Sequence, residues 1–213
     1  MPSAKELKGK YIGFRLDPGG VTTGLQSQIA QGDLLIAGQT TPASVRVYTA
    51  AGDAGPFTQT GIPWSFTFLK YVPGAVTTTP LTTAVMTGPM SGCFLFRYTD
   101  HNQSCIAHVG TAHDPQDPST IAVKNAWKKF TASVSGVAGA APFPGTVGGG
   151  DVNKAMGKGG IPQVVGYFAA GSAYAMILTP VGNPAIGPTM KVAEVKEMTL
   201  LPWANVANLK QFA

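Results

Sequence analysis

The sequence predicts an α+β fold with a β-sandwich-like mixed sheet core and one main flanking helix. Short apolar runs recur along the 213 residues, separated by turns that draw on 27 glycines and 17 prolines. Frequent turns and short elements are typical of strand-rich domains. Only one stretch, after Asp117, carries apolar residues at sustained helical spacing. No linker is long enough to divide the chain, so residues 1–213 are expected to form a single domain.

Strands are predicted throughout the first half of the chain. The clearest spans Trp64 to Phe68, where aromatic and polar residues alternate and the aromatic stripe is directed at the core. Residues 21–31 are ambiguous and allow a short helix. Residues 51–62 are expected to form a loop, and residues 72–80 a turn-rich connection. The other strands of this half are predicted at 11–16, 33–37, 44–49 and 81–87.

The second half is predicted to contain two hairpins and the main helix. Asp117 can cap that helix, with Pro118 at its first position, and the helical spacing continues to Val134. Residues 136–162 are rich in glycine and alanine and are expected to be a mobile loop, either a lid beside a cleft or an inert surface segment. The later elements are predicted as a hairpin of 164–169 and 173–179, a strand at 192–200 and a short closing helix at 203–209.

The composition argues against several classes of protein. Charged residues make up 12% and apolar residues 44%, which is too apolar for a disordered chain. The net charge of +5 comes without a basic run interleaved with aromatics, so no nucleic-acid partner is expected. Neither a membrane span of roughly 18 apolar residues nor a classical secretory signal is expected. We also expect a monomer without a cofactor.

The organising stretch of the chain is a hairpin made of the apolar runs 94–98 and 105–109. Both runs have the composition of strands, and the polar segment between them is rich in turn formers. The symmetry of the two runs predicts a turn centred between His101 and Asn102. A register different by one residue would move every side chain of one run to the opposite face.

The predicted register places a cysteine and a histidine on one face. Leu95 lies opposite His108, and Cys93 projects on the same face because it is two residues from Leu95. Diagonal neighbours lie roughly 7–8 Å apart at the backbone, so a small shear would bring sulfur and imidazole into hydrogen-bond reach. In an open pocket, such a thiol can become a thiolate stabilised by an imidazolium. The alternative is a buried free cysteine and a structural histidine.

The two cysteines are not expected to form a disulfide. In the predicted register Cys105 lies opposite Tyr98, on the other face from Cys93, about 15 Å away at roughly 3.3 Å per residue. Free thiols indicate a reducing site of action. Cys105 is therefore predicted to be a core residue.

Thr87, the turn Ser91-Gly92-Cys93 and the run from Ala107 to Thr111 resemble the catalytic core of bacterial glutamine deamidases. That family includes the catalytic domain of cytotoxic necrotizing factor, the Burkholderia lethal factor and the CheD chemoreceptor deamidases. Its members carry a cysteine after a small Ser-Gly type turn and a histidine further along. Several also carry a threonine six residues before the cysteine, which is the spacing of Thr87 and Cys93. The resemblance is confined to residues 87–111.

The resemblance implies a protein glutamine deamidase that works through a thioester. Cys93 would attack the side-chain carboxamide of a glutamine in a protein substrate, and His108 would protonate the leaving ammonia and then activate water. Thr87 would orient the imidazole, while backbone N–H groups around Ser91 and Gly92 would hold the oxyanion. The resemblance also implies a bacterial effector or toxin, made in the bacterial cytoplasm without a classical leader and exported to the cytosol of a target cell.

The residues leave other readings open. A cysteine protease or a transglutaminase would use the same dyad, and a non-enzymatic β-rich binding module would use neither residue. Asp100 and Asp114 are alternative orienters of the imidazole. His108, His113 and Asp114 could together hold a metal, although their spacing fits no known zinc motif, and no metal site is predicted. His101 and His113 are expected to be exposed.

Overall fold

The computed structural model describes residues 3–14, 23–112, 114–156, 160–181, 189–208 and 212. Within these residues the strands, numbered in chain order, form two sheets. The larger sheet has the spatial order β3 (Thr40–Val45), β6 (Trp64–Lys70), β8 (Val85–Gly88), β12 (Gln163–Ala169), β13 (Ser172–Pro180), β14 (Met190–Glu197), β1 (Tyr11–Ile12), β4 (Val47–Thr49) and β5 (Thr58–Gln59). The smaller sheet has the order β15 (Leu201–Pro202), β11 (Ser135–Ala140), β9 (Phe94–Asp100), β10 (Gln103–Val109), β7 (Val76–Pro80) and β2 (Leu35–Ala37).

The main helix begins where the sequence predicts. The Asp117 side chain accepts a hydrogen bond of 2.8 Å from the Ser119 N–H, and Pro118 occupies the first turn. The helix ends at Phe130, earlier than predicted, because Thr131–Ser133 continues as a 3-10 turn. None of the helices in the described ranges is long and apolar enough to cross a membrane. The helices are α1 (Thr23–Ala30), α2 (Pro118–Phe130), α3 (Gly149–Lys154) and α4 (Trp203–Ala207), with a 3-10 turn at Ala4–Leu7.

Alternation along the strands divides the core into layers, which confirms the predicted fold class. Side chains of both sheets meet in an inner layer that includes Leu69, Val85, Leu95, Ile106, Val164, Phe168 and Ile177. The intervening residues of β9 and β10 point the other way and pack under α2; this outer layer includes Phe94, Phe96, Tyr98, Ala107, Val109 and Trp127. Two mixed sheets thus enclose one layer, and the main helix covers the far side of the smaller sheet.

The central hairpin has the predicted register. His101 and Asn102 form its turn, with φ of +45° and +64°, and both adopt the left-handed conformation that suits a two-residue hairpin turn. Leu95 pairs with His108, as predicted, and Tyr98 pairs with Cys105. The turn thereby fixes which residues of each strand enter the inner layer.

Several predicted boundaries were wrong. The predicted turn-rich connection 72–80 contains the strand β7, whose threonines pair with β10 on one side and with β2 on the other. The predicted strand 44–49 is split between β3 and β4, and 81–87 becomes a strand only at Val85. Of the predicted strand 11–16, the structure shows Tyr11–Ile12; Arg15 and Leu16 lie outside the described residues.

Much of the segment 136–162 forms regular elements and not the predicted loop, and its residues 157–159 lie outside the described residues. It contributes to β11, forms a turn at Pro142–Thr146 and contains α3. Small residues serve packing here: a Cβ on Gly139 would lie 2.2 Å from the Phe96 ring. A strand rich in glycine and alanine can therefore lie against an aromatic layer. Because its residues are small, the sequence shows no alternation of apolar and polar residues that would predict a strand here.

Candidate active site

The candidate site is built around a hydrogen bond that joins the two sheets. Alternation in β8 directs Val85 and Thr87 into the inner layer, and alternation in β10 does the same for Ile106 and His108. Thr87 Oγ1 lies 2.6 Å from His108 Nδ1, and both side chains are buried. This bond fixes the imidazole plane and leaves the second ring nitrogen, Nε2, for another role.

Cys93 lies in the same inner layer, immediately before β9. It packs with Leu95 and Ile106, whereas Cys105 belongs to the outer layer beneath α2. Both cysteines are free thiols, as predicted. The turn that precedes Cys93 depends on Gly92, whose φ of +139° is strained for any residue with a Cβ.

The sulfur and the imidazole share this layer but are not hydrogen-bonded to each other. Cys93 Sγ donates to the Thr111 carbonyl at 3.8 Å. Buried His108 Nε2 has no hydrogen-bond partner among the described residues. The thiol is therefore held by a backbone carbonyl and the imidazole by Thr87, and one ring nitrogen is left unpaired.

The predicted open pocket is wrong. Cys93 is 0% exposed and His108 is 1% exposed. The ring of Tyr71 packs over the imidazole, with centroids 5.2 Å apart and planes inclined by 31°. Tyr71 Oη also donates to the Thr111 carbonyl at 3.2 Å, so one carbonyl accepts from both Tyr71 and Cys93. Tyr71 is only half-buried, so it forms part of the cover over the pair.

Burial keeps the groups of the site neutral. It lowers the pKa of His108 to about 3, and it raises the pKa of the Cys93 thiol against the smaller opposing effect of the hydrogen bond to Thr111. Burial, reinforced by the proximity of Cys93, also raises the pKa of Tyr71 to about 12. The resting pair is thus a thiol and a neutral imidazole, and the thiolate–imidazolium pair considered above is not its ground state.

The neutral imidazole predicts a specific pH dependence of stability. Since the folded state holds the pKa of His108 near 3 and the unfolded state returns it to about 6.5, the unfolded chain binds the extra proton as the pH falls. His108 should therefore lower the free energy of unfolding by about 2 kcal/mol between pH 7 and pH 5. Urea unfolding of wild type and His108→Asn at both pH values measures this difference. Equal pH dependence in the two proteins would contradict it.

The other residues considered from the sequence occupy different places. Ser91 is exposed and Gly92 half-buried, so this turn runs from the surface to the sulfur. Asp100 contacts His101 in the exposed hairpin turn, and Asp114 accepts from the Gln116 N–H, so neither orients His108. His113 lies outside the described residues. Across the described part of the chain, no cluster of three or more His, Cys, Asp or Glu is arranged to hold a metal.

Two residues that contact the site were not identified from the sequence. Tyr71 is 37 residues from His108 along the chain, and no spacing rule links them. Thr111 lies within the resembling motif, but the motif assigns it no role. Gly110 brings the segments of Tyr71 and Thr111 together. Its N–H donates to the Ala75 carbonyl at 2.9 Å, and its carbonyl accepts from the Gly74 N–H at 2.8 Å. A glycine immediately after an apolar strand was the one available signal of this close approach.

No family model, no curated protein and no solved structure matches this chain.

Proposed function

We propose that the protein is a glutamine deamidase that uses Cys93 as nucleophile, His108 as general base and acid, and Thr87 as the orienter of the imidazole. The observation that carries the proposal is the 2.6 Å bond between Thr87 Oγ1 and His108 Nδ1, which leaves Nε2 unpaired in the layer that contains Cys93. A buried polar atom without a partner calls for an explanation, and a proton-transfer role supplies one. The resemblance of residues 87–111 to bacterial deamidases supports the same roles.

The chemistry begins from the neutral pair. With Nδ1–H donating to Thr87 Oγ1, Nε2 takes the proton from Cys93 Sγ as the sulfur attacks the carboxamide carbon. Backbone N–H groups of the 91–93 turn are the candidates to hold the oxyanion. The C–N bond breaks as His108 returns the proton to the leaving nitrogen, giving ammonia and a thioester. Water then attacks the thioester, His108 accepts one of its protons and delivers it to the sulfur, and the carboxylic acid that is released loses its remaining proton to solvent.

The proposed reaction requires the cover over the site to move. Tyr71 is the half-buried residue that contacts the imidazole, and a single hydrogen bond to the Thr111 carbonyl holds its hydroxyl. Displacing this ring would expose the imidazole without breaking the strands that carry Cys93 and His108. A cover of this kind keeps the thiol and the imidazole away from water while it is closed.

The proposed biological setting is that of a bacterial effector or toxin acting on a protein in a target cell. Two free cysteines, one of them the proposed nucleophile, fit a reducing cytosol as the place of action. The target is a protein with an accessible glutamine side chain. A primary amine that replaced water at the thioester step would give transglutamination, so both products belong in the test.

The test is mass analysis of a target-cell lysate treated with wild type and with Cys93→Ala, using Cys105→Ala as the matched control. We expect a protein that gains about one dalton, as –NH₂ becomes –OH, with wild type and Cys105→Ala but not with Cys93→Ala. Peptide mapping should assign the gain to a glutamine. Deamidation by all three proteins would remove Cys93 from the mechanism, and chain cleavage in its place would indicate a protease.

A second candidate function is a non-enzymatic β-rich binding module. The complete burial of Cys93 and His108 favours it, since a hydrogen bond between sheets can serve packing alone. In that case Cys93 should react with iodoacetamide no faster than Cys105. A deamidase that opens should instead show faster alkylation at Cys93, although Cys105 is the more exposed cysteine, at 7% against 0%.

A further inference from the structure

Thr111 presents a second unexplained polar atom at the site. Its side chain is 4% exposed, and Oγ1 has no hydrogen-bond partner of good geometry among the described residues, although it lies close enough to the Cys93 sulfur to hold down the pKa of the thiol. Native proteins rarely bury a hydroxyl without a partner, because the loss of water is then uncompensated. His108 Nε2, the other unpaired atom of this site, is three residues away in the same chain segment.

The position of this hydroxyl relates it directly to the nucleophile. The backbone carbonyl of Thr111 accepts the Cys93 thiol, which places the two residues side by side. Thr111 Oγ1 lies 4.0 Å from the position that a Cβ on Gly92 would occupy. Because Gly92 has no side chain, no Cβ lies in van der Waals contact with the hydroxyl at this point. A small polar group that approached the sulfur here would meet Thr111 Oγ1.

We propose that Thr111 Oγ1 accepts a hydrogen bond from the N–H of a primary carboxamide and so favours primary amides over esters at Cys93. This inference rests on the proposed function and names the group that the site recognises. The carboxamide oxygen would meet the backbone N–H groups of the 91–93 turn, while the nitrogen, which later leaves, would lie between Thr111 Oγ1 and His108 Nε2. An ester has no N–H to donate to Thr111 Oγ1 or to His108 Nε2, and its alkoxy oxygen is only a weak acceptor for the hydroxyl, so it would form fewer hydrogen bonds here than a carboxamide.

Two alkylating probes of similar size test this selection without any protein substrate. Iodoacetamide carries a primary carboxamide, whereas methyl iodoacetate replaces its –NH₂ with –OCH₃. The alkylation rates of Cys93 by the two probes are measured in a Cys105→Ser background and corrected for the reactivity of each probe with a free thiol. The ratio of the two rates does not depend on how often the cover opens, because both probes need the same opened state.

Replacing Thr111 with valine removes the hydroxyl and keeps the shape of the side chain. We expect the amide-to-ester ratio to fall about fivefold in Thr111→Val, the effect of one hydrogen bond, and to stay within about twofold of the parent in Thr111→Ser. Thr111→Ala is the second variant if valine prevents folding, since it loses the hydroxyl and adds no bulk. An unchanged ratio in Thr111→Val or Thr111→Ala, or an equal fall in Thr111→Ser, would overturn the proposal.

The outcomes also separate this inference from the proposed function. Failure of both probes to label Cys93 in the folded protein would overturn the inference, because a carboxamide pocket must admit iodoacetamide. A lowered ratio in the variants without any deamidated lysate protein would support the carboxamide pocket and remove the deamidase. A deamidated lysate protein together with an unchanged amide-to-ester ratio would support the deamidase and overturn the carboxamide pocket.

Discussion

Replacing His108 with asparagine is expected to lower deamidation about 10³-fold, the usual contribution of a positioned general base and acid. Asparagine places its amide near the position of Nδ1 and can keep the hydrogen bond to Thr87, which is 2.6 Å long in the wild type. It has no group at the position of Nε2 that could take a proton from Cys93. The loss should therefore appear in kcat, with the fold retained.

His101→Asn is the matched control for this substitution. His101 is the same residue type in the same hairpin, but its side chain is 96% exposed in the turn. Its φ of +45° is a conformation that asparagine tolerates well. We expect His101→Asn to retain wild-type activity in the lysate assay. If His108→Asn and His101→Asn had nearly equal activity, His108 would have no role in the reaction.

Replacing Gly110 with alanine is expected to destabilise the protein by about 3 kcal/mol, the upper range for an overpacked site. The added Cβ would lie 2.3 Å from the Val72 carbonyl oxygen and 2.9 Å from that of Ala75. Both obstacles are backbone atoms of the segment that places Tyr71 over His108, so no side chain can move aside to relieve the clash. The melting temperature should fall by roughly 10 °C.

Gly61→Ala provides the comparison for this stability measurement. Gly61 is exposed, and a Cβ there would have nothing within 4 Å. Its replacement should change the free energy of unfolding by less than about 0.5 kcal/mol. Denaturant unfolding of both variants beside wild type measures the difference. A loss of stability at Gly110 no larger than that at Gly61 would show that residues 72–75 are not held against the end of β10.

The parts of the site that local rules control could be predicted from the sequence. The turn at His101 and Asn102 sets the register of the hairpin, and the register sets the faces of Cys93, Cys105 and His108. The contact between Thr87 and His108 could not be predicted in this way, because the two residues lie on different sheets. The resemblance to deamidases alone pointed to it.

The cover of the site depends on packing that the sequence does not display. Tyr71 reaches His108 because residues 72–75 fold back against Gly110, and that contact requires only the absence of a side chain. Burial of the pair was likewise missed, since residue types alone do not tell how closely two sheets approach. The strand β7 was not predicted, because its run of threonines lacks the alternation of apolar and polar residues that is typical of a half-buried strand.

The bond between Thr87 and His108 makes the proposed activity a property of the assembled molecule. The hairpin of the smaller sheet carries Cys93 and His108, whereas Thr87 lies on the larger sheet, so a folding intermediate with only the hairpin formed would hold an unoriented imidazole beside the cysteine. Loosening of the interface between the sheets would therefore abolish turnover before either sheet lost its hydrogen bonds.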